Sequence, residues 1–270
     1  MVPFLKWPGG KRWFVARHPD YFPCNYGRYI EPFLGGGAVF FFLRPKSAIL
    51  GDINPELIAT YEAVRDASRE VAQLLTEYQS VHSKRHYYSL RGQEPKSREA
   101  VAARMIYLNR TCFNGIYRVN LAGEFNVPKG TKKAVLLETD DFPGAAKLLK
   151  KAELRHADFE SIIDEAKEGD FVFADPPYTV RHNVNGFVKY NETLFSWDDQ
   201  VRLADALHRA GGRGVKILST NANHDSVRSL YRDRNFVLTT TSRYSSISAA
   251  SESRKQFEEL VIRSSEFKTA

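Results

Sequence analysis

A tetrapeptide with two prolines, Asp175-Pro176-Pro177-Tyr178, carries the clearest signal for chemistry in the sequence. It directly follows the apolar run 171–174, which is typical of a buried strand. The prolines fix their φ angles and lack N–H groups, so the turn is stiff and its carbonyls can accept hydrogen bonds. The Asp175 carboxylate and the Pro176 carbonyl could accept from an amine, and Tyr178 could stack on a flat ring. The alternative is an ordinary Pro-Pro turn after a strand.

A glycine-rich loop follows another predicted strand end, and its sequence over residues 31–38 is EPFLGGGA. Three consecutive glycines let a backbone approach a ligand closely and turn into the following helix. The spacing is neither the G-x-G-x-x-G of dinucleotide sites nor a phosphate-binding loop ending in G-K-[ST]. It therefore disfavours an NAD-dependent oxidoreductase.

Asp52 ends the next predicted strand. Acidic side chains in this place accept hydrogen bonds from ribose hydroxyls in nucleotide-binding sheets. Asp52 could instead cap the following helix, but Asn54 followed by Pro55 fits that role better. We therefore expect Asn54 to cap the helix and Asp52 to remain free to bind.

A third loop, with the sequence KWPGGK over residues 6–11, precedes the first predicted strand. Its aromatic residue Trp7, its Gly-Gly turn and its Lys11 could close over an anionic or adenine-bearing ligand. The loop could equally be a plain connection.

Seven short stretches, most of them apolar, predict the cores of the strands that position these loops, at 29–30, 48–50, 153–155, 171–173, 215–218, 236–238 and 259–262. Helical patterns separate most of the first five, which is typical of a parallel sheet covered on both faces. The last two are joined by the polar stretch 243–248, which predicts a loop and one reversed strand at the end of the sheet. The predicted fold class is α/β, with a Rossmann-like, mostly parallel seven-stranded sheet.

About a hundred residues separate the second and third predicted strands, and they contain helical patterns at 54–64, 71–81 and 98–108. A crossover needs only about a dozen residues. The excess predicts a mainly helical subdomain inserted at 56–139 into a domain formed by 1–55 and 140–270.

Charge, apolar run length and cysteine count favour a cytoplasmic protein, permit a polyanionic partner and disfavour a membrane protein. Lys and Arg outnumber Asp and Glu by 39 to 32 in the 270 residues, which permits a polyanionic partner. The longest apolar run, 38–43, is far shorter than the ~20 residues of a membrane span. Two cysteines, Cys24 and Cys112, offer neither a disulfide framework nor metal-ligand spacing, so we expect a cytoplasmic protein without a metal.

The loops taken together are more specific than any one of them. The order K-W-x-G-G-K, E-P-F-x-G-G-G, D-I-N, D-P-P-Y resembles DNA adenine-N6 methyltransferases of the Dam type, the D12 class, over nearly the whole chain. The insert corresponds to the target-recognition domain of that family. Within it, the stretches 108–120 and 123–130 look like the hairpin that reads DNA.

The resemblance implies S-adenosylmethionine as methyl donor. Its binding residues by family position are Trp7, Lys11, Phe33, Gly35, Gly37, Asp52, Asp158, Phe159 and Asp175. Asp158 would accept from the cofactor adenine and Phe159 would stack on it, although Asp158 could equally be a helix cap. The methyl group would pass directly to adenine N6, with Asp175, Pro176 and Tyr178 as catalytic residues.

The resemblance also implies double-stranded DNA as substrate, with the target adenine flipped out of the duplex. The residues that would contact DNA are Phe113, Asn114, Ile116, Arg118, Asn120, Asn126, Pro128 and Lys129. Phe113 and Asn114 would enter the gap left by the adenine, Arg118 would contact a guanine, and Ile116 and Pro128 would touch base edges. Asn120, Asn126 and Lys129 would position the backbone. Phe113 and Ile116 could instead belong to the subdomain core, and the loop 181–195 would close on DNA.

The hairpin resembles that of relatives specific for GATC, which is the expected site. We also expect a monomer in the cytoplasm, associated with the nucleoid. The resemblance leaves open whether the enzyme acts alone or with a cognate restriction nuclease. Three alternatives remain: methyl transfer to cytosine N4, RNA or protein glutamine; duplex-DNA binding without methyl transfer; and the disfavoured oxidoreductase.

Overall fold

The computed structural model describes residues 1–115, 117–118, 120, 124–180, 195–244 and 256–264. Its strands are β1 (Tyr29–Glu31), β2 (Ala48–Asp52), β3 (Ala152–His156), β4 (Phe171–Ala174), β5 (Lys216–Ala222), β6 (Val237–Tyr244) and β7 (Gln256–Arg263). They form a seven-stranded sheet in the order β3-β2-β1-β4-β5-β7-β6. Each of the seven predicted runs overlaps one strand, which confirms the predicted fold class.

One strand runs against the others, as predicted. β1 is parallel to β4, β4 to β5, and β2 to β3, whereas β7 is antiparallel to both β5 and β6. The reversed strand therefore lies between β5 and β6, not at the end of the sheet. β6 also continues to Tyr244, through β-branched Thr239–Thr241, which favour strand. The prediction of a loop at 243–248 was therefore wrong for residues 243 and 244, which belong to β6. Residues 245–248 lie outside the described residues.

The helices are α1 (Arg12–Arg17), α2 (Ala38–Leu43), α3 (Pro55–Asp66), α4 (Ser68–Ser80), α5 (Lys84–Arg91), α6 (Arg98–Thr111), α7 (Phe142–Leu149), α8 (Phe159–Asp164), α9 (Trp197–Gly212) and α10 (Asp225–Arg232). The three helices predicted in the insert correspond to α3, α4 and α6. α5 was not predicted. None of the helices described is long and apolar enough to cross a membrane.

The chain divides into two compact units. The first comprises 1–18 and 34–157, with β2, β3 and α1 to α7. The second comprises 19–33 and 158–270, with β1, β4 to β7 and α8 to α10. The functional division into a catalytic domain and a recognition insert at 56–139 remains a prediction.

In the first unit, the end of α6 fixes the segment that carries Trp7. Asn109 and Lys6 exchange two hydrogen bonds, Lys6 N to Asn109 Oδ1 at 2.9 Å and Asn109 Nδ2 to the Lys6 carbonyl at 2.7 Å. The neighbouring Arg110 is buried, pairs with Asp140 at 2.6 Å and donates to the Phe4 carbonyl at 2.8 Å. A buried guanidinium requires such partners. Because the Phe4 carbonyl is one of them, the bond fixes the backbone of the segment that leads to Trp7.

Candidate functional site

In the second unit, Asp175 lies directly after β4, at the carboxyl end of three mutually parallel strands. Its Oδ1 atom accepts a hydrogen bond from Thr220 Oγ1 at 2.7 Å. Thr220 is fully buried on the adjacent strand β5. A charge-assisted bond from a buried donor fixes the orientation of the carboxylate.

Tyr178, at the end of the same turn, is anchored through its hydroxyl group. The hydroxyl donates to Glu259 Oε2 at 2.9 Å, and Glu259 lies buried on β7. Burial, together with the charges of Asp175 and Glu259, raises the pKa of Tyr178 well above its usual value. The phenol therefore stays protonated near neutral pH and can act as a donor, so that the ring is held in place.

A third contact holds the middle of the turn. Gln200 Nε2, on α9, donates to the Pro177 carbonyl at 3.2 Å, and Asn221 Nδ2 donates to Gln200 Oε1 at 3.0 Å. Both side chains are fully buried. Sequence reasoning missed Thr220, Asn221, Gln200 and Glu259. The polar run 219–221 after an apolar strand was the available signal, because buried polar groups need partners.

Three aromatic rings lie together at the end of β1 and the start of α8. Phe33 stacks on Phe159 with ring centroids 5.3 Å apart, and Phe195 meets Phe33 edge-on at 5.6 Å. The Arg202 guanidinium lies over the Phe159 ring at 4.9 Å. Phe159 is buried, whereas Phe33 retains some exposure. The structure thus brings together two residues that the resemblance assigns to one site.

Asp158 has a clear local role. Its Oδ1 atom caps α8 by accepting from Glu160 N at 2.9 Å, and it also accepts from Arg202 Nη2 at 2.9 Å. The helix-cap interpretation is therefore confirmed as one function of this residue. Whether it also contacts a cofactor adenine remains a proposal.

In the first unit, the Asp52 carboxylate does not cap α3, but each of its oxygens already accepts one backbone hydrogen bond. Its Oδ2 accepts from Gly35 N and its Oδ1 from Asn54 N, both at 3.0 Å. Asn54 caps α3 as expected, accepting from Leu57 N at 3.1 Å. Burial raises the pKa of Asp52, and these backbone N–H groups oppose the rise. The carboxylate therefore ties the glycine loop to the end of β2.

The glycine loop makes room for Trp7. Gly35 has φ +46°, and a Cβ atom added there would lie 2.7 Å from Trp7 Cδ1. At Gly37, with φ +65°, a Cβ atom would lie 3.0 Å from the hydroxyl of Tyr61. At Gly35, therefore, the group that closely approaches the backbone is the indole ring of Trp7, where the sequence predicts a ligand.

The preceding loop turns back on itself. Lys11 is buried, and its Nζ donates to the Gly9 carbonyl at 3.0 Å. The structure therefore brings Trp7 together with Gly35 and Asp52. The hydrogen bond from Lys11 to the Gly9 carbonyl lies within the loop 6–11.

Backbone hydrogen bonds join the two stretches of the predicted hairpin. Asn126 N donates to the Arg118 carbonyl at 3.4 Å, and Phe113 N donates to the Pro128 carbonyl at 2.8 Å near the base. Exposure alternates along the second stretch, 124–128, where Phe125 and Val127 are buried whereas residues 124, 126 and 128 are exposed. This period of two gives the hairpin an inner and an outer face.

The predicted DNA contacts fall mainly on the outer face. Arg118, Asn126 and Pro128 are exposed, and Arg118 Nε donates to Asn126 Oδ1 at 3.3 Å. Phe113 is 54% exposed, which contradicts the alternative that it belongs to the subdomain core. Asn114 beside it is exposed, with φ 56°.

Of the other predicted DNA contacts, Asn120 and Lys129 are only partly exposed. Asn120 closes the hairpin tip, where its Oδ1 accepts from Glu124 N at 2.9 Å and its Nδ2 donates to Glu124 Oε2 at 3.0 Å. Lys129 is half-buried and donates to the Gly130 carbonyl at 3.2 Å. Ile116 and the greater part of the loop 181–195 lie outside the described residues.

Two side chains of α5 donate hydrogen bonds to the backbone of the hairpin. The Tyr87 hydroxyl donates to the Val127 carbonyl at 2.9 Å, and Arg91 Nη1 donates to the same atom at 3.3 Å. Arg104 of α6 in turn donates to the Leu90 carbonyl at the end of α5, at 3.0 Å. The helix that sequence analysis missed therefore holds the second stretch of the predicted hairpin in place.

Comparison with known proteins agrees with this arrangement. The family model of the D12 class N6 adenine-specific DNA methyltransferases matches residues 7–246. A type II methyltransferase from Lactococcus lactis subsp. cremoris is 36% identical, over 96% of this chain and 94% of the relative. A type II methyltransferase from Methanocaldococcus jannaschii is 37% identical, over 86% of this chain and 89% of the relative. A DNA adenine methylase from Haemophilus influenzae is 32% identical, over 96% of this chain and 92% of the relative.

These matches span nearly the whole chain, including the turn at 175–178 and the hairpin. The protein is accordingly an enzyme, and it belongs to the D12 class of N6 adenine-specific DNA methyltransferases.

Proposed function

We propose that the enzyme uses S-adenosylmethionine to methylate adenine N6 at GATC sites in double-stranded DNA, after flipping the adenine out of the duplex. The observation that carries the proposal is the turn at the end of β4. There, Thr220 orients the Asp175 carboxylate and Glu259 anchors Tyr178. An oriented acceptor beside a fixed ring is what an exocyclic amine on a flat base requires.

The residues at the strand ends fit the cofactor in chemical type. In the first unit, Asp52 offers carboxylate oxygens for hydroxyl groups, beside a loop formed by Gly35, Gly37 and Trp7. In the second unit, Phe159 and the Phe33 ring stacked on it offer an aromatic surface for the cofactor adenine. Asp158, which directly precedes Phe159, offers a carboxylate for the adenine amine. Lys11 and Asp175 complete the proposed set. When bound, the cofactor supplies an electrophilic methyl group.

The catalytic residues act by positioning and electrostatics. The Asp175 carboxylate and the Pro176 carbonyl accept hydrogen bonds from the N6 amine, which favours a pyramidal nitrogen with an available lone pair. The ring of Tyr178 stacks on the flipped base. Removal of the base costs a few kcal/mol of unpairing and unstacking. The exposed Phe113, with Asn114 beside it, fills the gap and replaces the lost stacking.

The outer face of the hairpin reads the site. Arg118 donates to guanine O6 and N7, and Pro128, together with Ile116, contacts base edges such as the thymine methyl group. Asn120, Asn126 and Lys129 contact the DNA backbone. Asn120 and Asn126 also hold the hairpin together, so they would share their polar groups between the two tasks.

The proposal also covers the partner, the oligomeric state and the cellular location of the enzyme. The type II names of two relatives favour a cognate restriction nuclease as partner, whereas the name DNA adenine methylase leaves open an enzyme that acts alone. We propose a monomer that works in the cytoplasm on the nucleoid.

Methyl transfer from tritiated S-adenosylmethionine tests the function. We expect label to enter unmethylated duplex DNA, and sequencing of modified bases to place it on the adenine of GATC. Label on cytosine or in RNA would support an amino-methyltransferase of another substrate. Duplex binding without label would support a DNA-binding protein that does not transfer methyl groups, and would refute the proposal.

Glu259→Leu should lower the single-turnover methylation rate by at least about tenfold. It removes the acceptor of the Tyr178 hydroxyl, and a hydrogen bond to a charged group contributes about 1.5–3 kcal/mol, at ~1.4 kcal/mol per decade of rate. Glu259→Gln keeps an acceptor oxygen and should retain most of the rate. Glu258→Leu, at the exposed neighbouring position, is the control. Equal rates for Glu259→Leu and Glu258→Leu would contradict the anchoring role.

DNA affinity should fall steeply with salt, because each neutralised phosphate contributes about −0.9 to the slope of log K against log salt. Lys129→Ala should flatten this slope by about one unit and weaken cognate and noncognate duplexes alike. The measurement is fluorescence anisotropy between low and high salt. An unchanged slope in the variant would exclude Lys129 as a phosphate contact.

A further inference from the structure

Tyr117 lies on the inner face of the hairpin, next to a predicted DNA contact. It is buried, whereas Arg118 beside it is exposed. Its ring packs against Phe125 in the second stretch of the hairpin, with ring centroids 5.1 Å apart. Successive residues of an extended segment point to opposite faces, which explains the difference in burial. Because the backbone joins the two residues directly, a displacement of Arg118 is passed on to Tyr117.

The first connection from Tyr117 leads to the glycine loop. Its ring stacks on Trp7 with centroids 5.7 Å apart and an interplanar angle of 19°. Trp7 in turn lies so close to Gly35 that no Cβ atom would fit there. The Gly35 amide donates to Asp52 at 3.0 Å. Rings and backbone at van der Waals contact transmit small shifts, because a packed interior has little room to absorb them.

The second connection leads to the start of α3. The Tyr117 hydroxyl donates to Glu56 Oε2, and Arg104 Nη1 lies 3.5 Å from the other carboxylate oxygen. Burial and the charge of Glu56 raise the pKa of Tyr117, which keeps the hydroxyl protonated. Glu56 belongs to the first turn of the helix that Asn54 caps, and the Asn54 amide is bound to Asp52. Both connections therefore reach the same carboxylate.

We propose that Tyr117 is a positioning residue that couples the DNA-reading hairpin to the cofactor loop, so that the duplex and S-adenosylmethionine increase each other's affinity. The inference rests on the proposed function. Engagement of Arg118 by DNA fixes the hairpin, Tyr117 then fixes Trp7 and Glu56, and the cofactor meets a loop that is already ordered. Linkage requires the converse, that bound cofactor strengthens DNA binding by the same factor.

The test measures binding of sinefungin, an analogue of S-adenosylmethionine that cannot donate a methyl group, with and without a cognate duplex. In the wild type we expect binding at least about fivefold tighter with duplex, the lower end of typical coupling factors. Tyr117→Phe keeps the ring stack and removes the hydroxyl. We expect its ratio to fall below about twofold, while affinity without duplex stays near the wild-type value.

Two further variants separate coupling from a purely structural effect. Tyr78→Phe removes a tyrosine hydroxyl from α4 in the same unit and should keep the wild-type ratio. Glu56→Ala should reproduce the loss seen in Tyr117→Phe, and Glu56→Gln, which keeps an acceptor oxygen, should restore most of the ratio. If Tyr117→Phe does not fold, the comparison of the two Glu56 variants decides.

The outcomes distinguish this inference from the function on which it rests. If wild-type sinefungin affinity is the same with and without duplex, or the ratio in Tyr117→Phe is undiminished, the coupling is refuted and the proposed function stands. Equal weakening with and without duplex would show a structural role only, and also refutes the coupling. If sinefungin does not bind the wild type at all, the proposed function fails together with the inference.

Discussion

Asp175→Ala should lower the rate of methyl transfer by at least about 10²–10³, the usual cost of removing one preorganised electrostatic contact. Asp175 is the side-chain acceptor of the turn, and Thr220 already fixes its direction through a bond of 2.7 Å. In the proposed mechanism, the carboxylate therefore needs no reorientation as the amine becomes pyramidal. Single-turnover transfer of tritium to a GATC duplex measures the effect.

Two comparisons make this result specific. The melting temperature and duplex affinity of Asp175→Ala should remain near wild type, because the change lies at the end of β4 and leaves the strand intact. Thr220→Val keeps the shape of the side chain and removes only the donor, so we expect a smaller loss, about tenfold. Wild-type turnover in folded Asp175→Ala would refute the mechanism.

Arg118→Ala should relax the choice of the first base of the site while the requirement for adenine persists. A bidentate contact between arginine and guanine contributes about 1–3 kcal/mol of discrimination, roughly five- to hundredfold in preference. Arg118 is exposed on the outer face of the hairpin, and its Nε donates to Asn126 Oδ1 at 3.3 Å, which limits where the guanidinium can point. The expected variant methylates duplexes changed at the first base nearly as well as GATC.

The measurement compares kcat/KM on GATC duplexes with that on duplexes altered only at the first base. Arg85→Ala is the matched control, because it removes an exposed arginine from α5 in the same unit. Any loss of DNA affinity in Arg85→Ala should be equal for the two duplexes, so that the preference for the first base is kept. If Arg118→Ala also keeps the preference, another residue reads the guanine and this assignment is wrong.

Local sequence determined the elements and the places where chemistry could occur. Apolar runs such as 171–174 predicted the strands, because a strand buried on both faces must be apolar along its length. Asn54 with Pro55 predicted the start of α3, because the capping side chain and the fixed φ of proline act within a few residues. The turn at 175–178 could be placed at a strand end for the same local reason.

Only the tertiary structure decided what holds the site. Thr220 and Glu259 lie 45 and 81 residues from their partners Asp175 and Tyr178, and strand pairing together with the path of the turn after β4 brings them together. Asp52 looked available in sequence, yet the fold brings the Gly35 amide to it. Such contacts depend on the order and register of strands and on packing between distant segments, which the periodicity of a single segment does not encode.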